Sequence, residues 1–240
     1  MALTADDRIV LIRVKIERAK KHLRDLAAEL LAAKNVRTTV VGTKHDPQSG
    51  EPKRGFVTLP RLPFDAVATA GDIVHNLRSA LDHLAYQLVV VGSGKEPSRR
   101  VEFPIAKDAT TYEAEKARKV EGMRPLAIEA IDNLKPYKSG NDRLWRIHEL
   151  DNIDKHRTLF SVDHDYLFYS DWFGGDYWFK TDTPHFAGVF DEHVEHDVQL
   201  EVDKAISKTK IAKGNSLLPS LHQLVDFVDE LVAYFKPLLQ

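Results

Sequence analysis

The chain has 240 residues, 43% hydrophobic and 29% charged, which is enough to bury a full core and rules out a disordered composition. Its 34 Lys and Arg against 36 Asp and Glu leave a formal net charge of −2, excluding a basic nucleic-acid coat or an acidic solvating tail as a global feature. There is no cysteine, so disulfides, thiolate metal sites, iron–sulfur clusters and cysteine nucleophiles are excluded as well.

The segment from Thr4 to about Lys34 predicts one long helix. Thr4 is placed to cap it, Asp6 and Asp7 sit in its first turn, and Ile9, Ile12, Ile16, Leu23, Leu26 and Leu30 recur at helical spacing. Lys15, Arg18, Lys20, Lys21, Arg24 and Lys34 make this helix basic, a pattern that ordinarily marks a solvated face. Its start lacks a basic stretch followed by an apolar one, and no apolar run approaches a membrane span, so a soluble cytoplasmic chain with no membrane partner is expected.

Residues 35 to 63 carry two β-branched stretches, Val36–Val41 and Gly55–Leu59, around a turn-rich Asp46–Pro52, and predict a β-hairpin insertion. A second long helix runs from Asp65 to about Val91, entered after Pro63 and ended by Gly92-Ser93-Gly94. A polar loop leads to Val101-Glu102-Phe103-Pro104-Ile105. Shorter helices follow over Thr110–Val120 and Pro125–Leu134. Asn141-Asp142 then caps a helix reaching about Arg157.

Residues 158 to 207 are rich in aromatics and alternation and predict a strand-rich insertion of three to five strands. The rings from Tyr166 to Phe179 fit a sheet packed on helices, or else a partner surface. A last helix spans 216 to 239. The expected fold is a single α+β domain over 1–240. Its helical bundle of about five or six helices (4–34, 65–157 and 216–239) carries the β-hairpin and the strand-rich segment as insertions.

The second helix carries the functional signal. Val67, Ala70, Val74, Leu77, Leu81, Leu84 and Leu88 form one apolar stripe. The opposite arc holds His75, Asn76, Arg78, Ser79, Asp82 and His83, within about 160° of the wheel. From Ala66 to Ser93 there is neither Lys nor Glu, the usual occupants of a solvated helix face. The arc is therefore expected to be covered, and its side chains are those of hydrogen-bonded networks and proton chemistry. A buried polar layer kept for packing specificity accounts for the same residues. The helix over 141–157 has a matching arc of His148, Asp151, Asn152, Lys155 and His156, and the two arcs could meet.

Arg78-Ser79-Ala80-Leu81-Asp82-His83 is an Arg and a His with four residues between them, preceded by His75-Asn76-Leu77 and followed by Leu84-Ala85-Tyr86. This resembles the Arg-x4–6-His motif of the HEPN superfamily. The resemblance implies a helical core and a homodimer in which Arg and His of two subunits meet and cleave RNA. No metal or other cofactor takes part, and the 2′-hydroxyl is the nucleophile. It implies His83 as acid or base and Arg78 as phosphate holder, chemistry that suits an imidazole titrating near neutrality and a bidentate guanidinium. The catalytic candidates are thus Arg78, His83, Asp82 and His75, with Asn76, Ser79 and Lys155 as substrate-binding candidates.

Two other classes fit the same residues. One is a metal-binding bundle with His148, Asp151 and His156 as ligands, joined by His75, Asp82 or His83. The other is a non-catalytic dimeric scaffold or regulatory module. His193-Val194-Glu195-His196 reads as a solvated strand end. Phosphate-loop, dinucleotide-binding and Gly-x-Ser-x-Gly patterns are absent.

Overall fold

The structure is a computed structural model that describes residues 3–33, 37–45, 52–60, 64–156, 165–170, 175–180 and 217–240. The described residues form six α-helices: α1 (Ala5–Ala33), α2 (Phe64–Ser93), α3 (Ala109–Lys119), α4 (Pro125–Asn133), α5 (Asp142–His156) and α6 (Leu217–Phe235). Their ends follow local chemistry. Thr4 and Asp7 cap α1 reciprocally: the Thr4 hydroxyl accepts the Asp7 amide at 3.2 Å, and the Asp7 carboxylate accepts the Thr4 amide at 2.9 Å. The Thr4 side-chain and backbone bonds hold the Asp7 carboxyl below its ordinary range. Asp108 caps α3 through the Thr111 amide at 2.7 Å, and Pro125 occupies the first turn of α4. Asn141 accepts the Leu144 amide at 3.3 Å at the head of α5. The last helix stops earlier than its apolar pattern suggests: after Phe235 the chain tightens into a 3-10 turn, Lys236–Leu239, because Pro237 has no amide to continue the α-helical ladder.

The expected α+β class is corrected. The core traced by the described side chains is built from these six helices and their connecting loops, and no strand contributes to it. The β-branched stretches produce only backbone pairings, Arg37–His45 with Pro52–Pro60 and Asp165–Ser170 with Gly175–Lys180. These are two separate two-stranded ladders, and an isolated pair of strands is not a core layer. Among the described side chains the architecture is therefore helical. Most of the expected strand-rich insertion, including His193 and His196, lies outside the described residues, as do the side chains of the aromatics from Tyr166 to Phe179.

The chain divides into two compact units. One comprises Leu26–Val67 and Ser161–Pro219 and contains both ladders. The other comprises Met1–Asp25, Ala68–Phe160 and Ser220–Gln240, and it holds the site residues. Its interior is formed by Ile9, Ile12, Ile16 and Leu23 of α1, the stripe Ala70, Val74, Leu77, Leu81, Leu84 and Leu88 of α2, and Leu144, Ile147 and Leu150 of α5. Val225, Val228, Val232 and Phe235 of α6 complete it. Each such side chain removed from water contributes about 1.5–3 kcal/mol.

Polar contacts fix how these helices meet. Arg13 and Lys20 of α1 share Asp229 of α6 at 2.9 and 2.7 Å. Arg8 of α1 donates to Gln87 of α2. Gly92 lets the end of α2 approach the Gly122 main chain so closely that an added Cβ would collide with the Gly122 carbonyl. The segment Phe103–Ala106 is buried between these elements, with the Phe103 ring set edge-on to Phe235 at 6.4 Å.

Candidate functional site

The polar arcs of α2 and α5 do meet. His75 Nδ1 lies 2.9 Å from Asp151 Oδ1, and Lys155 Nζ lies 2.6 Å from the other oxygen of the same carboxylate. Asp151 is buried, its side chain 3% exposed, whereas the His75 ring is 46% exposed. A carboxylate held by Lys155 only accepts, so the proton of the shared bond sits on Nδ1, and Nε2 is the nitrogen left outside that bond. The helical spacing accounts for this. His75, Arg78 and Asp82 are separated by three and four residues and share one side of α2, as Asp151 and Lys155 share one side of α5.

Arg78 is buried, with its side chain 4% exposed. Its two terminal nitrogens both donate to the Phe103 carbonyl at 3.0 Å. It also pairs with Asp82 at 3.0 Å and lies 3.5 Å from Glu102. Asp82 in turn accepts the Phe103 amide at 3.0 Å. One turn of α2 thus grips both polar groups of a single peptide residue, with Arg78 on the carbonyl and Asp82 on the amide. Burial raises the Asp82 carboxyl above its ordinary value against the opposing pull of Arg78.

A second buried cation completes this layer. Lys119 of α3 reaches Glu102 at 3.0 Å, Glu115 at 3.1 Å and the Ile105 carbonyl at 3.4 Å. Burial raises the Glu102 carboxyl, but its bond to Lys119 and the charge of Arg78 outweigh that and hold it below the usual range. His148 lies within the field of both cations. Burial and then the Arg78 and Lys119 charges push it down to about 4. Its Nε2 is 3.1 Å from the Asn152 amide nitrogen, which a neutral ring can accept.

The remaining candidates scatter. Asn76 is buried and donates to the Asp72 carbonyl one turn back at 2.7 Å, a bond local to α2. Ser79 is half-buried. His83 is exposed and lies on the flank of α2 that faces α1, where desolvation and then the Lys15 charge lower it. Arg78 and His83 are therefore not brought together within one chain. Within one chain, segment 101–106 and α5 cover the Arg78 side of the arc, while His75 and His83 are exposed. Of the metal-ligand set His148, Asp151 and His156, only the first two have described side chains, and no group of three or more metal-capable side chains converges among the described residues. The His156 side chain lies outside them.

Glu102, Lys119 and the Phe103 main chain were not singled out by the sequence. The available signal was the pattern Val101-Glu102-Phe103-Pro104-Ile105, whose apolar residues have to be buried and thereby carry Glu102 to the layer. No helix among the described residues is long and apolar enough to cross a membrane. No family model, curated protein or solved structure matches this chain.

Proposed function

We propose that this protein is a HEPN-like helical protein acting as a metal-independent endoribonuclease, with His75 as its acid–base group. The observation that carries the reading is the Asp151–His75 pair. A buried, lysine-braced carboxylate holds one ring nitrogen at 2.9 Å, and the ring's side chain is 46% exposed. This is the arrangement by which a positioned imidazole exchanges a proton with a substrate. His75 Nε2 takes the proton of an RNA 2′-hydroxyl, and the 2′ oxygen attacks the adjacent phosphorus. The bond from phosphorus to the 5′ oxygen breaks, that oxygen takes a proton from solvent, and a 2′,3′-cyclic phosphate remains. A homodimer belongs to the proposal, since the resemblance builds its site from two copies. In this reading Arg78 and Asp82 position the layer behind His75, and His83 lies along the path of the RNA.

The test is cleavage of a labelled single-stranded RNA in excess chelator, with molecular mass in solution measured alongside. His75→Ala and Asp151→Asn should each lower the rate by about 100-fold or more while the helical signal is retained. Wild-type rates in His75→Ala would remove the imidazole from the mechanism. A second reading, a non-catalytic module, is favoured by one observation: the guanidinium that should hold phosphate spends its donors on Phe103 and Asp82. Wild-type protein that cleaves no RNA selects that reading.

A further inference from the structure

The basic residues of α1 are unevenly partnered. Arg13 and Lys20 are neutralised by Asp229, and Lys21 by Asp25. Lys15 and Arg18 form no ion pair among the described residues, and Arg18 is exposed. On the helical wheel Arg8, Lys15, Arg18 and His22 fall within about 80° of one another and span about 21 Å of axis, with no acid among them. This stripe lies beside the buried face of α1 and borders α2: Arg8 donates to Gln87, and the Lys15 charge acts on His83.

Across that border α2 presents His83; Tyr86, one turn on, is 40% exposed and falls on the wheel between His83 and His75. The carboxylate that acts on His83, Asp82, is already engaged by Arg78 and the Phe103 amide. His75 is on the same open side of α2, about 12 Å along the axis from His83 and about 80° around it. One exposed side of α2 therefore carries the oriented His75 imidazole, the Tyr86 ring and His83, with the unpaired Lys15 of α1 acting on His83.

We infer that Lys15 and Arg18 of α1, with His83 and Tyr86 of α2, form a binding strip for single-stranded RNA. Lys15 and Arg18 take backbone phosphates, Tyr86 stacks on a base, and a short run of nucleotides reaches from there to His75. The cations supply affinity without sequence preference, and the ring supplies a platform that any base can use. The inference rests on the RNA reading given above and names the residues that hold the strand.

The experiment measures binding of a fluorescein-labelled, 2′-O-methylated RNA oligonucleotide by anisotropy, so that binding is read without cleavage. Lys15→Glu/Arg18→Glu should raise Kd by at least about tenfold and reduce the slope of log affinity against log salt by about 1.4, two single-strand phosphate contacts. Tyr86→Ala should raise Kd by about 5- to 100-fold and Tyr86→Phe should restore it. Arg124→Glu, remote in sequence, serves as the charge control and should leave binding within about twofold. Lys15→Gln/Arg18→Gln repeats the test if charge reversal impairs folding.

Unchanged affinity and salt slope in both double variants overturn the inference. So does a double variant that turns a dimer into a monomer while RNA binding is unaffected, because the strip is then a contact between copies. If the strip binds RNA but wild-type protein cleaves none, the reaction at His75 fails and the binding site stands. If His75-dependent cleavage survives the double reversal unchanged, the binding site fails and the reaction stands.

Discussion

Replacing Arg78 by alanine separates the two roles this residue can have. In the structure its guanidinium is 4% exposed, donates twice to the Phe103 carbonyl at 3.0 Å and pairs with Asp82 at 3.0 Å. Removing it leaves a buried carbonyl without donors and a carboxylate, Asp82, already raised by burial, without its cation. Breaking a buried ion pair from one side costs about 3–5 kcal/mol. Asp82 keeps the Phe103 amide and is 35% exposed, and Glu102 keeps Lys119, so the lower end applies, about 3 kcal/mol. For a chain of this size that is roughly 6–12 °C in Tm. Urea unfolding followed by circular dichroism reads the loss, and hydrogen exchange locates it: the Phe103 amide should lose protection before the core of α2 does. Arg78→Lys keeps the charge but not the fork and should recover only part. A cycle with Asp82→Asn should show coupling of about 1 kcal/mol or more, since both residues hold one peptide. A cost below about 1 kcal/mol, with exchange across 101–106 unchanged, would refute the clamp and return Arg78 to the phosphate.

Two further outcomes follow from the same layer and its surroundings. His148 titrates at about 4 in the folded chain against an ordinary value of 6.5, so between those values the unfolded chain binds a proton that the folded chain does not. Stability from this group is complete above 6.5 and falls by up to about 3 kcal/mol on acidification to 4. Asp82, shifted the other way, contributes in the opposite sense as it protonates. His148→Gln should flatten the change in urea midpoint between pH 7 and pH 4.5; an undiminished change would assign the acid sensitivity to other groups. Gly92→Ala places a methyl against the Gly122 carbonyl and the Arg124 amide, backbone atoms that cannot turn aside, and should cost about 1–3 kcal/mol in thermal or urea unfolding. Wild-type stability there would refute the close approach of the α2 end to the Gly122 turn.

The helices were legible because their signals are local. The Thr4–Asp7 cap, Pro125 at a first turn and the three-four spacing of the Leu77–Leu88 stripe act over a few residues, and the ends observed agree within two or three positions except at Pro237. The fold class was not legible because β-branched runs report a preference for extended backbone and say nothing about what an extended pair packs on. The covering of Arg78 was legible from the absence of Lys and Glu on α2. Its partners were not, because Glu102 and the Phe103 main chain come from a non-helical segment and Lys119 from a helix whose last turn is basic for ordinary capping reasons.

The motif itself holds the reason that sequence and site diverge. Five positions on a helix turn the chain through about 140°, so Arg78 and His83 cannot share a side. What shares a side with Arg78 is His75 and Asp82, three back and four on, and these face α5 and segment 101–106. His83 lies about 80° round from His75 and borders the basic stripe of α1 through Lys15, and Tyr86 falls between the two histidines on the wheel. A string that looks like one pair is thus two addresses on α2. The inner one is buried and held by internal partners, which suits it to positioning. The outer one is exposed beside unneutralised cations, which suits it to a ligand. His75 belongs to both, because its Nδ1 is fixed by the inner layer through Asp151 while its side chain is 46% exposed.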